Sequence, residues 1–163
     1  MLTWVFTVVS LTNSFDFLNR ALRITALFEY LGGHYLLNDT ERIRCQSRSN
    51  CRGLSDKSAS LDEQARVVAM RDHPSQTLAG YIEPADFVRW RELSITYTPT
   101  ARIAGLLRAQ TASITVSARN LTLWTRFSGI DPESDYNQYG NLPSDFQTAP
   151  APSYFTLRLN LGF

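Results

Sequence analysis

The stretch Ser153-Tyr-Phe-Thr-Leu-Arg-Leu-Asn-Leu-Gly-Phe163 decides how the rest of the chain is read. Phe155, Leu157, Leu159, Leu161 and Phe163 take every second position, with Tyr154, Thr156, Arg158, Asn160 and Gly162 between them. Side chains of a strand point alternately to its two faces, so one face here is wholly apolar and the other mostly polar. A soluble strand packed on a core carries this pattern. So does a transmembrane barrel strand, with its apolar residues toward lipid over about 9–11 tilted residues. Alternation alone does not separate the two.

Working back from that strand, residues 128–152 form a polar connection dense in Gly, Pro, Asp, Asn and Tyr. Before it, residues 111–127 alternate again, with Ala112, Ile114, Val116 and Ala118 opposite Ser113, Thr115, Ser117 and Arg119. The phase slips at Asn120-Leu121, which predicts a bulge. Residues 99–110 are a short connection with one helical turn after a Thr100 cap. Leu93, Ile95 and Tyr97 alternate with Glu92, Ser94 and Thr96 in a strand over residues 86–98.

The alternation is lost over residues 36–80. Within them Ser60-Leu-Asp-Glu63 is a capping box that predicts a helix from Leu61 to about Arg71. Leu61, Ala65 and Val68 share a face of it, and Asp62 and Arg66 are spaced to pair. Residues 22–35 form a strand, residues 12–20 a turn region, and Leu2, Trp4, Phe6 and Val8 a first strand. Connections thus run short, long, short, long, which in an antiparallel sheet places both long loops at one end. The predicted fold class is all-β: about five antiparallel strands of an incomplete transmembrane barrel, with a short helix in an outer loop.

Composition narrows the function. A 44% hydrophobic and 12% aromatic content supplies a core. The net charge is +1, and the basic residues are scattered arginines with Lys57 as the one lysine. Nucleic acid is therefore not an expected partner. No apolar run approaches the roughly 20 residues of a membrane helix, which leaves barrel strands open. G-x-S-x-G, P-loop and dinucleotide fingerprints are missing, so an enzyme is not expected, and neither is a cofactor. His34 reads as a strand-rim residue and His73 as a solvated loop residue. Asp131, Glu133, Asp135 and Asp145 lack calcium-loop spacing and read as a solvated loop.

Three segments carry a family resemblance. Phe87-Val-Arg-Trp-Arg-Glu-Leu-Ser-Ile-Thr-Tyr-Thr98 is similar to the "F-x-R-L-R-x-L-S-L-S-Y" segment of SusC/RagA-like TonB-dependent outer-membrane transporters, with Trp90 in place of the usual aliphatic residue. Ser117-Ala-Arg-Asn-Leu-Thr-Leu-Trp-Thr-Arg-Phe-Ser-Gly-Ile-Asp-Pro-Glu133 resembles their "G-R-N-L-x-x-W-T-x-Y-x-G-x-D-P-E" segment. The terminal strand, ending on Phe163, resembles the end signal of bacterial outer-membrane barrels. Residues 22–163 are covered; residues 1–17 match poorly.

The resemblance implies a 22-stranded barrel with an amino-terminal plug, so the 163 residues are expected to be the carboxyl-terminal barrel segment of a longer receptor, without its plug. It also implies an outer-membrane location and nutrient uptake. The implied partners are outer-membrane lipid, the barrel-assembly machinery, TonB and a surface substrate-binding lipoprotein. Phe155, Leu157, Leu159, Leu161 and Phe163 would be the assembly signal, and the loop aromatics Tyr136, Tyr139 and Phe146 would face a ligand. Cys45 and Cys51 would lie in an outward loop, where a local disulfide is the expected state; free thiols and a metal pair are the alternatives. The competing reading of the whole is a small soluble β-rich binding module with a helical insert.

Overall fold

The computed structural model describes residues 7–133, 142–146 and 148–163. Two compact units are formed. One gathers Thr7–Leu31, Val88–Trp124 and Ala151–Phe163; the other gathers Gly32–Phe87 and the described residues of Thr125–Pro150.

The first unit is a sheet of β1 (Thr7–Phe17), β2 (Leu22–Gly32), β5 (Phe87–Tyr97), β6 (Thr111–Thr125) and β7 (Tyr154–Gly162), in the spatial order β1-β2-β5-β6-β7. Sequence neighbours within the sheet lie side by side, as short connections favour. The β6–β7 pair is antiparallel, with Ala112 opposite Leu161, Ile114 opposite Leu159, Val116 opposite Leu157 and Ala118 opposite Phe155. This register matches apolar to apolar along one face and Ser/Thr to Thr/Asn/Arg along the other. Phe155, Leu157 and Phe163 are 77%, 71% and 79% exposed, so the apolar face is not covered by a core. Phe28 and Trp90 stack at 5.3 Å between ring centroids. Among the described residues no helix is long and apolar enough to cross a membrane, which says nothing of strands.

β1 corrects the predicted start. Residues 12–17 belong to the strand rather than to a turn. Ser14 bonds Thr25 at 3.0 Å, and Asp16 accepts two bonds from Arg23 at 2.7 and 2.9 Å. The small polar residues that suggested a turn are the polar half of a strand. The reversal is confined to Asn19-Arg20, closed by Ala21 N–H donating to Leu18 O at 3.1 Å. Asn19 and Arg20 have φ of 52° and 70°, as the tight hairpin turn that follows strand twist requires. Between β5 and β6, α4 (Ala101–Leu106) begins after Thr100, whose side chain makes no cap bond. At Asn120 φ is 51°, where the alternation of β6 slips.

The second unit is built from the two long connections. β3 (Tyr35–Leu37) and β4 (Ile82–Pro84) pair as a small antiparallel ribbon. Between them run α1 (Asp39–Gln46), α2 (Arg52–Ser55), α3 (Leu61–Arg71) and a 3-10 turn at Ala79–Tyr81. Leu37, Cys45, Cys51, Val67, Met70 and Tyr81 form its core. The helix α3 has the bounds and the reciprocal Ser60–Glu63 capping box that the sequence predicts. Its buried face differs: Val67 and Met70 point inward, whereas Leu61 and Val68 are exposed. Arg66 pairs with Glu83 at 3.3 Å, not with Asp62. Gly53 is required where α2 meets α3, since a Cβ there would lie 2.6 Å from Glu63 O.

Candidate functional site

The residues with chemistry to offer fall into two groups, one in each unit. On the sheet, the polar face of β5, β6 and β7 is laid out in rows. Glu92, Arg119 and Tyr154 form one: Arg119 Nε reaches Glu92 Oε2 at 2.9 Å, and Arg119 Nη1 donates to the Tyr154 hydroxyl at 3.3 Å. The next row holds Ser117 and Thr156, their hydroxyls 2.5 Å apart. In the third, Thr96 and Thr115 bond at 2.9 Å, and Arg158 stands opposite Thr115. Antiparallel register produces these rows, because facing residues on paired strands project to the same side.

Two clefts open on this face. One, of about 400 Å³, holds Glu29, Arg91, Glu92, Arg119 and Tyr154. Arg91 and Glu92 are consecutive yet both line it, so strict alternation is broken there, and Arg91 pairs with Glu29. The other, of about 370 Å³, holds Glu92, Arg119 and Arg158 among the hydroxyls of Ser94, Thr115, Ser117 and Thr156. Exposed ion pairs contribute little to stability. Their concentration on one face is better suited to ordering water and polar solutes.

In the second unit the polar groups are structural and deeply set. Asp145 is fully buried; its Oδ1 accepts from Asp39 N–H at 2.8 Å and Thr40 N–H at 3.1 Å, and its Oδ2 accepts from Ile130 N–H at 3.1 Å. The start of α1 is therefore finished by a carboxylate 106 residues away, while Asn38 caps Glu41 N–H locally. Gly129 is needed beside it, because a Cβ would come within 2.4 Å of Asp145 Oδ2. Glu83 is a second clasp, accepting from Ser128 N–H and hydroxyl, from Asn38 Nδ2 and from Arg66. The Tyr81 phenol is held above its ordinary pKa, first by burial. Ser58 donates to Asp56 through hydroxyl and backbone and holds that carboxyl below its usual range.

Cys45 and Cys51 are joined by a disulfide beside Glu41, which leaves neither sulfur as a thiolate ligand. Phe155, Leu157, Leu159, Leu161 and Phe163 lie on or just past β7, on its apolar side. Tyr136, Tyr139 and Asp135 lie outside the described residues. Phe146 is half-buried next to Asp145. Asp131 and Asp145 are buried, which corrects their reading as a solvated loop: backbone amides, not water, satisfy Asp145. His34, between the end of β2 and the start of β3, is buried, edge-on to Phe87 with Nε2 3.3 Å from Pro132 O. His73 is exposed and bonds Ser75. The rows of the polar face were implicit in the alternation, but their grouping needed the register.

Comparison with known proteins bears on both units. No family model matches the chain. TonB-dependent receptor P3 of Formosa agariphila is 32% identical over 89 residues, 51% of this chain and 9% of that protein. Among solved structures, the RagAB peptide importer in its closed-closed state superposes with a TM-score of 0.64 at 21% identity, over 94% of this chain and 16% of that one. The open-open state gives 0.59 at 19% identity, over 97% and 17%. The chain thus spans a small fraction of the length of each. The chain is thus similar in sequence, over about half its length, to a TonB-dependent receptor, and it shares the fold of part of the RagAB importer.

Proposed function

We propose that the chain serves nutrient uptake across a bacterial outer membrane, as barrel wall and external loops of a TonB-dependent receptor whose remaining strands and plug belong to a longer protein. The observation that carries this reading is the division of the sheet's two faces. The apolar side chains of β7 are open along its length, and the opposite face of the same sheet carries ion pairs and hydroxyls. A soluble module would bury the apolar face; a barrel wall turns it to lipid and the polar one to the lumen.

Both long connections build one compact, disulfide-closed unit, as suits a loop assembly exposed to an oxidising exterior. Ligand capture at those loops, followed by TonB-driven movement of the plug, would deliver cargo past the polar face. A surface lipoprotein and the barrel-assembly machinery complete the partners. Fractionation of cells expressing the full-length gene product tests the reading: it should sediment with the outer membrane. Recovery as a soluble monomer would overturn it.

A further inference from the structure

We propose that reduction of the Cys45–Cys51 disulfide opens a site for a thiophilic divalent cation of the zinc class, held by both cysteines and Glu41. Among the described residues these form the one cluster of three metal-ligating side chains, their ligand atoms all within 4.8 Å of one another. Glu41 and Cys45 stand four positions apart on α1, so they share a face of that helix. Glu41 Oε2 accepts from Arg44 at 2.9 Å, which leaves Oε1 turned to Cys45 Sγ at 3.9 Å. Cys51 immediately precedes α2, and its Cα lies 4.9 Å from that of Cys45. Both cysteines belong to the loop unit's own core, and all three ligands come from residues 41–51. The protein ligands are thus local, and none has to come from elsewhere in a longer protein.

The donor set selects the cation. Two sulfurs and a carboxylate oxygen suit zinc-class ions, with a water in the remaining tetrahedral position. Joined to one another the sulfurs are poor ligands; as thiolates they bind such ions strongly. A small thiol supplies the reduction in two exchanges. Its thiolate attacks one cysteine sulfur and breaks the Cys45–Cys51 bond, and a second thiol then releases the mixed disulfide. The small thiol leaves as its own disulfide, having given two electrons to the cysteine pair. The cation displaces one proton from each cysteine thiol. Two thiolates and a carboxylate carry three negative charges, which the divalent cation and Arg44 balance. The same core holds the Tyr81 O–H, buried and without a partner among the described residues, a donor for anionic sulfur that disulfide sulfur hardly engages. Disulfide and cation exclude one another, so the surrounding redox conditions decide which of them the loop unit carries.

Cobalt(II), which colours on thiolate binding, reports the site. The full-length gene product in detergent, reduced with a phosphine under nitrogen, should bind one more Co2+ than Cys45→Ser with Cys51→Ser treated alike. That extra ion should bring sulfur-to-cobalt charge-transfer absorption, be displaced by Zn2+, and be missing from the oxidised protein. Glu41→Gln should weaken it by about tenfold or more, at least the cost of losing an outer-shell partner. Loss of the disulfide loosens the unit, so protease digestion is followed in parallel: Zn2+ should restore resistance to the reduced wild type and not to the double serine variant. Equal Co2+ uptake by the reduced wild type and the serine variant, or unchanged affinity in Glu41→Gln, overturns the proposal. A reduced wild type that stays as protease-sensitive with Zn2+ as without it overturns it as well.

Discussion

Replacing Asp145 with Ala should release the start of α1. The carboxylate is fully buried and is the acceptor for the N–H groups of Asp39, Thr40 and Ile130. A hydrogen bond to a charged acceptor contributes about 1.5–3 kcal/mol, and a buried donor left unpaired costs about 1–3 kcal/mol. The three bonds share one side chain and are not additive. A combined loss of about 3–5 kcal/mol is therefore expected, the size seen when a buried charged network is broken. Since the affected amides belong to one unit, the loss should be local. Hydrogen exchange at Asp39, Thr40 and Ile130, measured by mass spectrometry on the full-length protein, should accelerate about a hundredfold to several thousandfold. The amides of β6 and β7 should keep their protection. Asp145→Asn retains a carbonyl for α1 but sets an amide against Ile130 N–H, and should fall between. Unchanged exchange at Asp39 and Thr40 in Asp145→Ala would refute the clasp.

Three further outcomes follow from the second unit. Cys45→Ser with Cys51→Ser should destabilise it by about 2 kcal/mol, the loop-closure value for so short a span; protease sensitivity reads the loss, and alkylation of the wild type should add labels only after reduction. Tyr81→Phe should be stabilising by about 1 kcal/mol, because the buried Tyr81 hydroxyl has no hydrogen-bond partner among the described residues. Burial raises the folded-state pKa of Tyr81, so wild-type stability is full below the unfolded value of about 10 and declines as pH rises past it. Tyr81→Phe should abolish that alkaline decline, and a decline of equal size in both proteins would count against it. Ser60→Ala removes one side of the capping box and should cost about 1 kcal/mol, visible as faster exchange in the first turn of α3.

The sheet was legible in the sequence wherever apolar and polar residues alternate without interruption, as in β7 and the first part of β6. β1 was misjudged because Asn13, Ser14 and Asp16 have turn-like composition, although Val9, Leu11, Phe15 and Phe17 keep the strand period across them. The helix α3 announced itself through Ser60 and Glu63. α1 has the same kind of signal in Asn38 and Glu41, but its inward side carries Asp39, Arg42 and Cys45, not an apolar stripe, so periodicity did not reveal it. The Asp145 clasp on α1 had no local signal at all: Asp39 and Thr40 lie more than a hundred positions earlier. Arg158 was visible as a polar-face residue.

The clasp also bears on transplanting these loops. A designer who grafts residues 33–86 onto another barrel to borrow their surface would carry over α1 without its acceptor, β4 without the Ser128 that Glu83 holds, and β3 without its bridge to Ser144. The disulfide would travel with the graft and keep it covalently closed, concealing the damage in a simple thiol assay. The smallest transferable cassette is therefore discontinuous: residues 33–86 together with residues 126–150, exchanged as a pair or not at all.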